Sequence, residues 1–342
     1  MNNLVTENQL IITEEQSRTS EYQRAIREEI EASRYTTVES LRTNAINHPE
    51  ILRYKNRILG ECDTYEYTDW LHFLKQDFGP KESSLSLGSG IGRVEKYLIE
   101  TGFTNGFETI ELSPHSNQNA RRSNVSIQAV EGDLNFVHLP EDSYDFILCH
   151  GVLHHLINLE YILHQINQAL KSEGILLIYE YVGETRWQFD DERLKMLCNT
   201  LPNYRFKRPH RWIGGFESVR SGDLLQLIQA QFGSNCDRSI SFGGVYFPFA
   251  ICNGTFKFRN DEVQKIVQID EQFSKNCAVM PCYHMGVYHK SHNPPTTCVP
   301  WTNDQLYQHL GPRKPYQVLI ADMAQQILHL AARKMNRSQP KH

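Results

Sequence analysis

The stretch Leu85-Ser-Leu-Gly88-Ser-Gly90-Ile-Gly92-Arg-Val-Glu-Lys-Tyr-Leu98 passes from a short apolar run through three alternate glycines into a helical pattern. Glycine lets the backbone turn sharply and approach a ligand closely, and the helix behind it presents unpaired N–H groups. A nucleotide-like ligand is the natural occupant of such a turn. Any strand-to-helix turn can use glycine for structural reasons, so the neighbouring segments have to carry the rest of the argument.

Those neighbours alternate as βαβ units do. Short apolar runs at 84–87, 107–110, 126–130, 144–149 and 175–179 are separated by helical patterns at 93–101, 116–122 and 153–170, with a later helix at 221–232. Further strands are expected at 239–242 and 283–290. The pattern predicts an α/β fold with an open, doubly wound sheet, since a closed barrel would need eight such units. Glu111 ends the second strand, where an acid can accept hydrogen bonds from both hydroxyls of a ribose. Asp133 and Leu134 end the third, where an acid and an apolar neighbour could hold an adenine, and Cys149-His150 ends the fourth. The glycines run G-x-G-x-G, which is not the dinucleotide spacing, and no Gly-Lys-Ser/Thr follows, so adenosine without a pyrophosphate fits best.

Composition sets the limits around this centre. The 342 residues carry 35 Lys+Arg against 40 Asp+Glu, a net charge of −5, which argues against a nucleic-acid partner held by electrostatics alone. No window resembles a membrane span and the amino terminus is polar, so a cytoplasmic protein without a membrane partner is expected. The eight cysteines are scattered, and reduced thiols are the default. Cys277, Cys282, His284 and His289 use zinc-type ligands, but the alternation from 282 to 289 puts His289 on the opposite face from Cys282 and His284. A plain late strand is expected there, and no metal.

The run Gly88 to Gly92 with Glu111, Asp133 and Tyr144-Asp-Phe-Ile-Leu-Cys-His-Gly-Val-Leu-His-His-Leu156 resembles the class I S-adenosylmethionine-dependent methyltransferases. Leu85-Ser-Leu-Gly-Ser-Gly, the Leu-His-His-Leu segment and Glu180-Tyr-Val-Gly-Glu-Thr-Arg-Trp-Gln-Phe189 resemble, more closely, bacterial small-molecule methyltransferases of the methyltransferase-11/12 type. Asn47-His48-Pro49 and the stretch 60–71 echo amino-terminal motifs of similar enzymes. The resemblance implies a Rossmann-like seven-stranded sheet and S-adenosyl-L-methionine as cofactor. It implies that Gly88, Ser89 and Gly90 pass the methionine part, that Glu111 with Leu112 meets the ribose, and that Asp133 and Leu134 meet adenine. The backbone at Cys149 and His150 would approach the amino group and sulfonium. One departure stands out: many such enzymes carry an acid two residues before the first glycine, and here that residue is Ser86.

Methyl transfer from a sulfonium needs alignment, exclusion of water and, for some acceptors, a base. His150, His154 and Tyr181 are the candidates, with His155 behind them, because they lie near the switch point of the sheet. Ordinary structural hydrogen bonding is the competing reading for each histidine. The fourth strand ends without an Asn/Asp-Pro-Pro-Tyr run, which the resemblance associates with nucleic-acid amino methylation. Three regions are expected: an amino-terminal helical segment at 1–80, the cofactor-binding domain at 81–290, and a helical tail at 291–342. Within the second, an insert after the fifth strand (184–235) would supply the acceptor pocket through Arg186, Trp187, Arg211, Trp212 and Arg220. Here too the competing reading is solvated arginines and core aromatics. A second aromatic cluster, Tyr246 to Phe258, offers a lid or a homodimer contact.

The expected function is methylation of a small molecule, foremost at oxygen, with nitrogen and carbon acceptors open. A peptide or carrier-bound intermediate is an alternative acceptor. Outside this class stand a nicotinamide oxidoreductase, which the glycine spacing disfavours, and a non-catalytic cofactor-binding regulator.

Overall fold

The computed structural model describes residues 19–34, 45–122, 125–209, 215–252, 258–275 and 279–292. The helical tail expected at 291–342 lies outside them from residue 293 on. Seven strands form one sheet: β1 Ser84–Leu87, β2 Phe107–Glu111, β3 Ile127–Glu131, β4 Tyr144–His150, β5 Leu170–Tyr181, β6 Cys236–Phe242 and β7 Tyr283–His289, in the order β3-β2-β1-β4-β5-β7-β6. The first five are parallel, while β7 runs antiparallel to both β5 and β6. The strand order reverses between β1 and β4, so the chain leaves these two strands in opposite directions and a crevice opens at their carboxyl ends.

The described helices are α1 Ser20–Ser33, α2 Pro49–Gly60, α3 Phe73–Phe78, α4 Arg93–Glu100, α5 Pro114–Arg121, α6 Leu159–Ala169, α7 Asp191–Thr200, α8 Ser221–Phe232, α9 Tyr246–Cys252 and α10 Asn260–Lys275. Alternate residues of the central strands face opposite layers. Phe146, Leu148, Ile175 and Leu177 pack with Trp70 and with α2, α4 and α10. Ile147, Cys149, Leu176 and Ile178 pack with Ile162 and Ile166 of α6 and Leu224 and Ile228 of α8. Each such side chain, fully buried, stabilises the fold by about 1.5–3 kcal/mol.

Helix α2 falls within the amino-terminal segment expected to be helical, and it starts as helices commonly do. His48 caps it by accepting from Glu50 N–H at 3.3 Å through Nδ1, with Pro49 in the first turn. The helix expected at 153–170 is broken. Residues Leu153–His155 form one 3-10 turn and α6 begins only at Leu159. The cause is long-range: the Glu180 carboxylate takes the N–H groups of Val152 and Leu153, and Asn135 Oδ1 takes those of Ile157 and Asn158. Donors satisfied from outside no longer need a continuous helix. Cys282 leads into β7, and His284 is held by Ser241 Oγ at 2.8 Å and Tyr288 Oη at 2.5 Å, a structural arrangement within the sheet.

Candidate functional site

The glycine loop joins β1 to α4. Gly88, Gly90 and Gly92 take φ of 63°, 55° and 73°, a region costly for other residues. Gly88 is also sterically tied, because a Cβ there would lie 2.1 Å from Val152 Cγ2. Gly90 faces open space, and its N–H donates to Glu111 Oε2 at 3.0 Å, while Ser113 N–H donates to Oε1 at 2.8 Å. Burial raises the Glu111 pKa against these two donors, which lower it.

Beneath the loop, Ser86 Oγ donates to Glu95 Oε1 at 2.6 Å. Burial pushes the Glu95 carboxyl up to about 7, and its Oε2 is buried without a hydrogen-bond partner. An acid from α4 thus stands directly against Ser86. Glu95 lines a recess together with Gly88, Ser89, Gly90, Arg93 and His150.

This recess adjoins a cavity of about 550 Å³ that is lined by Gly88, Gly90, Glu111, Leu112, Asp133, Leu134, His150, His154, Tyr181 and Trp187, all expected from sequence. Phe216, read with Trp187 as a pocket aromatic, and Phe247, from the cluster read as a lid, line the same wall, while sequence reasoning missed Glu29, Tyr67, Tyr179, Glu217 and Tyr283 there. Their aromatic character was visible; their convergence was not. Tyr179 stacks on His150 (ring centroids 4.9 Å apart) and on Tyr283 (5.4 Å), and Phe247 meets Tyr181 (4.9 Å) and Tyr283 (5.3 Å). Arg186 and Trp187 have consecutive positive φ of 57° and 52°, costing roughly 1–2 kcal/mol each. The bond from Arg186 N–H to Ser218 O (2.9 Å) holds this turn, with Trp187 in the cavity wall.

His150 is surrounded by rings, and Tyr67 Oη lies 3.4 Å from its Nε2. Burial, reinforced by Lys55, lowers its pKa to about 4, so the ring is neutral near pH 7. Lys55 of α2, another residue without a motif, sits 4.9 Å from the ring centres of both Tyr67 and Tyr179. Burial and Arg93 bring it down to about 7.

At the other histidines the carboxylates gather. Glu180, fully buried, accepts from His154 Nδ1 at 2.8 Å as well as from the two backbone donors. Burial alone would raise its pKa, but these partners bring it below the usual value. His154 Nε2 lies 3.6 Å from Glu217 Oε1, and His155 Nδ1 lies 3.1 Å from Glu29 Oε1. Burial opposes charge on His155, yet Glu29 and Glu217 outweigh it and raise the ring to about 10.

Several expected residues serve the framework. Cys149 is fully buried, with a thiol pushed up by burial, and faces the α6 layer. Tyr181 Oη donates to Glu184 O at 3.1 Å, and burial raises its pKa. Asp133 accepts from Tyr22 Oη at 2.7 Å and from Asn135 N–H at 3.0 Å. Arg220 grips Glu160 through two bonds of 2.7 Å and Ile157 O through a third. Arg186 donates to the carbonyls of Glu217 (2.8 Å) and Gly215 (3.0 Å). Neither residue is among those lining the cavity, and both guanidinia donate to backbone carbonyls, Arg186 to two and Arg220 to one. Arg211 and Trp212 lie outside the described residues.

The chain is 28% identical over 105 residues to the mitochondrial arginine-hydroxylase NDUFAF5 of Danio rerio, a match that spans 31% of this chain and only 32% of that protein. Among solved structures it is similar to an S-adenosylmethionine-dependent methyltransferase from Mesorhizobium loti (TM-score 0.40, 16% identity, 65% of this chain and 97% of that one). Another is a TehB-like methyltransferase from Corynebacterium glutamicum (TM-score 0.37, 16% identity, 64% and 86%). Residues 59–231, just over half of the chain, match the family described as a methyltransferase domain. The glycine turn, the acid-tipped second strand and the sheet order therefore belong to a member of that family, an S-adenosylmethionine-dependent methyltransferase.

Proposed function

We propose that this chain binds S-adenosylmethionine in the crevice above β1, β2 and β4 and methylates a hydroxyl of a small, largely aromatic or apolar acceptor. The observation that carries the reading is the continuity of one cavity from Gly88, Gly90 and Glu111 to an aromatic chamber that also contains His154, His155 and Glu217. The residues suit the cofactor: the glycines leave room that side chains would fill, and the unpartnered Oε2 of Glu95 suits a ligand ammonium.

When bound, the cofactor supplies an electrophilic methyl group on a sulfonium. The protein's share is positioning. Glu111 receives ribose hydroxyls while staying tied to the loop through Gly90 N–H. Leu134 covers adenine, with Asp133 fixed beside it by Tyr22. Tyr179, Tyr181, Trp187, Phe247 and Tyr283 hold the acceptor and exclude water, which favours a carbon or aromatic skeleton over a nucleic acid. An oxygen nucleophile must give up its proton, and the His154–His155–Glu217 end of the chamber takes it up. His154 Nδ1 is committed to Glu180, whose carboxylate can only accept, so Nδ1 carries the proton and Nε2 is left for the chamber.

Calorimetric titration with S-adenosylhomocysteine tests the cofactor half. Glu111→Ala is expected to weaken binding at least tenfold, and an unchanged affinity would sink the assignment. Methyl transfer from labelled cofactor into phenolic and other hydroxylated compounds tests the acceptor half; label appearing only on amines would overturn it.

A further inference from the structure

The two histidines and Glu217 form an arrangement that proton transfer alone does not require. One ligand atom from each of His154, His155 and Glu217 can be chosen so that all lie within 4.8 Å of one another. Glu217 reaches both rings at Nε2, through Oε1 to His154 at 3.6 Å and through Oε2 to His155 at 3.9 Å. Each separation is shorter than twice a metal–nitrogen or metal–oxygen bond of about 2.1 Å, so an ion could bridge each pair without the groups parting.

The opposite edges of the rings are just as telling. His154 Nδ1 faces the fully buried Glu180 at 2.8 Å, and His155 Nδ1 faces Glu29 at 3.1 Å. Metal-bound imidazoles typically donate their far N–H to a carboxylate, which fixes the tautomer and orients the ring. Here both rings have a carboxylate on that side, from different elements: Glu180 of β5 in a hydrogen bond with His154, and Glu29 of α1 within ion-pair distance of His155. Three carboxylates thus face the cluster, against the Arg186 guanidinium held behind the Gly215 and Glu217 carbonyls, and this balance favours a cation. The group lines the cavity wall, so coordination positions not used by the protein would face the acceptor chamber.

We propose that His154, His155 and Glu217 bind one divalent transition-metal ion at the chamber wall, with Glu180 and Glu29 orienting the imidazoles. Two imidazoles and one carboxylate, borderline ligands with open positions, suit zinc, cobalt, iron(II) or manganese over calcium or magnesium. With the ion bound these three groups no longer act as the base: an acceptor oxygen on an open position would become more acidic and lose its proton to solvent, which extends the proposed methylation to acceptors able to ligate a metal. The site itself does not depend on methyl transfer and is tested without it.

The full chain, stripped with a chelator and dialysed, is titrated with cobalt(II), and visible absorption and calorimetry are read together. One equivalent with ligand-field bands is expected, the affinity falling at least tenfold in Glu217→Gln and in His155→Asn, with Glu29→Gln weakening it by roughly 10–100-fold as an orienting partner. Circular dichroism melts establish that each variant is folded; if one is not, the other is read. Absence of stoichiometric cobalt(II) binding to the parent chain overturns the proposal. So does binding of unchanged affinity in the folded ligand variants, which would place the ion elsewhere, for instance on cysteines. Loss of S-adenosylhomocysteine binding in Glu111→Ala with cobalt(II) binding intact would show that the two sites stand separately.

Discussion

Ser86 Oγ and Glu95 Oε1 lie 2.6 Å apart beneath the glycine loop, a contact that brings a carboxyl from a helix nine residues on against position 86. The serine holds one oxygen and leaves the other unpartnered at the recess shared by Gly88, Ser89 and Gly90. A buried oxygen in that state costs the apo protein and is relieved by a cationic ligand group.

The first prediction follows from this cost. The folded-state pKa of Glu95, about 7, lies above the ordinary 4.5 because burial dominates. The folded chain therefore keeps a proton that the unfolded chain releases between these values. Stability contributed by this group is complete below pH 4.5 and is lost as pH rises through 7, by on the order of 3 kcal/mol. Glu95→Gln, which keeps the acceptor for Ser86, should be more stable than the parent at pH 8 and equal to it at pH 4. It should also bind S-adenosylhomocysteine about tenfold more weakly at pH 8, as a charge-assisted contact implies. Parallel urea melts at both pH values, with no difference, would contradict this.

Gly88 and Gly90 share a left-handed φ but not a neighbourhood. Gly88→Ala adds an overlap with Val152 to the conformational cost, whereas Gly90→Ala meets nothing within 4 Å. Losses of about 3 kcal/mol or more and about 1 kcal/mol are expected, respectively. Equal losses in chemical denaturation would show that Val152 yields freely.

Asp270 of α10 is a fully buried structural acid. It accepts from Tyr54 Oη (2.9 Å) and from the N–H groups of Gly243 (3.0 Å), Val245 (2.7 Å) and Tyr246 (3.1 Å). Asp270→Ala would leave these donors buried and unpaired, at a cost of more than about 3 kcal/mol. Because Tyr246 and Phe247 start α9 there, the chamber wall should loosen as well. A urea midpoint within experimental scatter of the parent would refute this role.

Lys55 carries the opposite sign to Glu95. Its folded pKa of about 7 is depressed from 10.5, chiefly by burial. The contribution of this group is complete above pH 10.5 and is lost as pH falls through 7, so Lys55→Met should stabilise the protein by about 4–5 kcal/mol near pH 6.5 and by little above pH 10.5. The His150 titration, followed by NMR, should move upward in the same variant, because Lys55 is one of the groups that hold it at about 4. A His150 pKa that stays put would remove Lys55 from the electrostatics of the site.

Much of the fold was legible because its signals are local. The strand-glycine-helix turn, the βαβ alternation and the acid ending β2 each lie within a few residues of sequence. The 153–170 helix was misread for the opposite reason: its first turn is broken by Glu180 and Asn135, each more than 15 residues away. Arg186 and Arg220 look in sequence like anion grips, since an arginine beside a tryptophan or a loop gives no hint of the buried carbonyls it will meet.

The sequence by itself determined the βαβ order, the glycine turn and the candidate ribose acid, through two periodicities and one conformationally free residue type. Only the tertiary structure decided which polar groups meet: Ser86 with Glu95, Glu180 with the turn at 152–154, and Glu29 and Glu217 with the paired histidines. These groups come from α1, α4, β5 and the 215–217 segment, and no local preference brings them together. Packing of apolar faces does so, and once water is excluded each buried charge must have a partner or wait for a ligand.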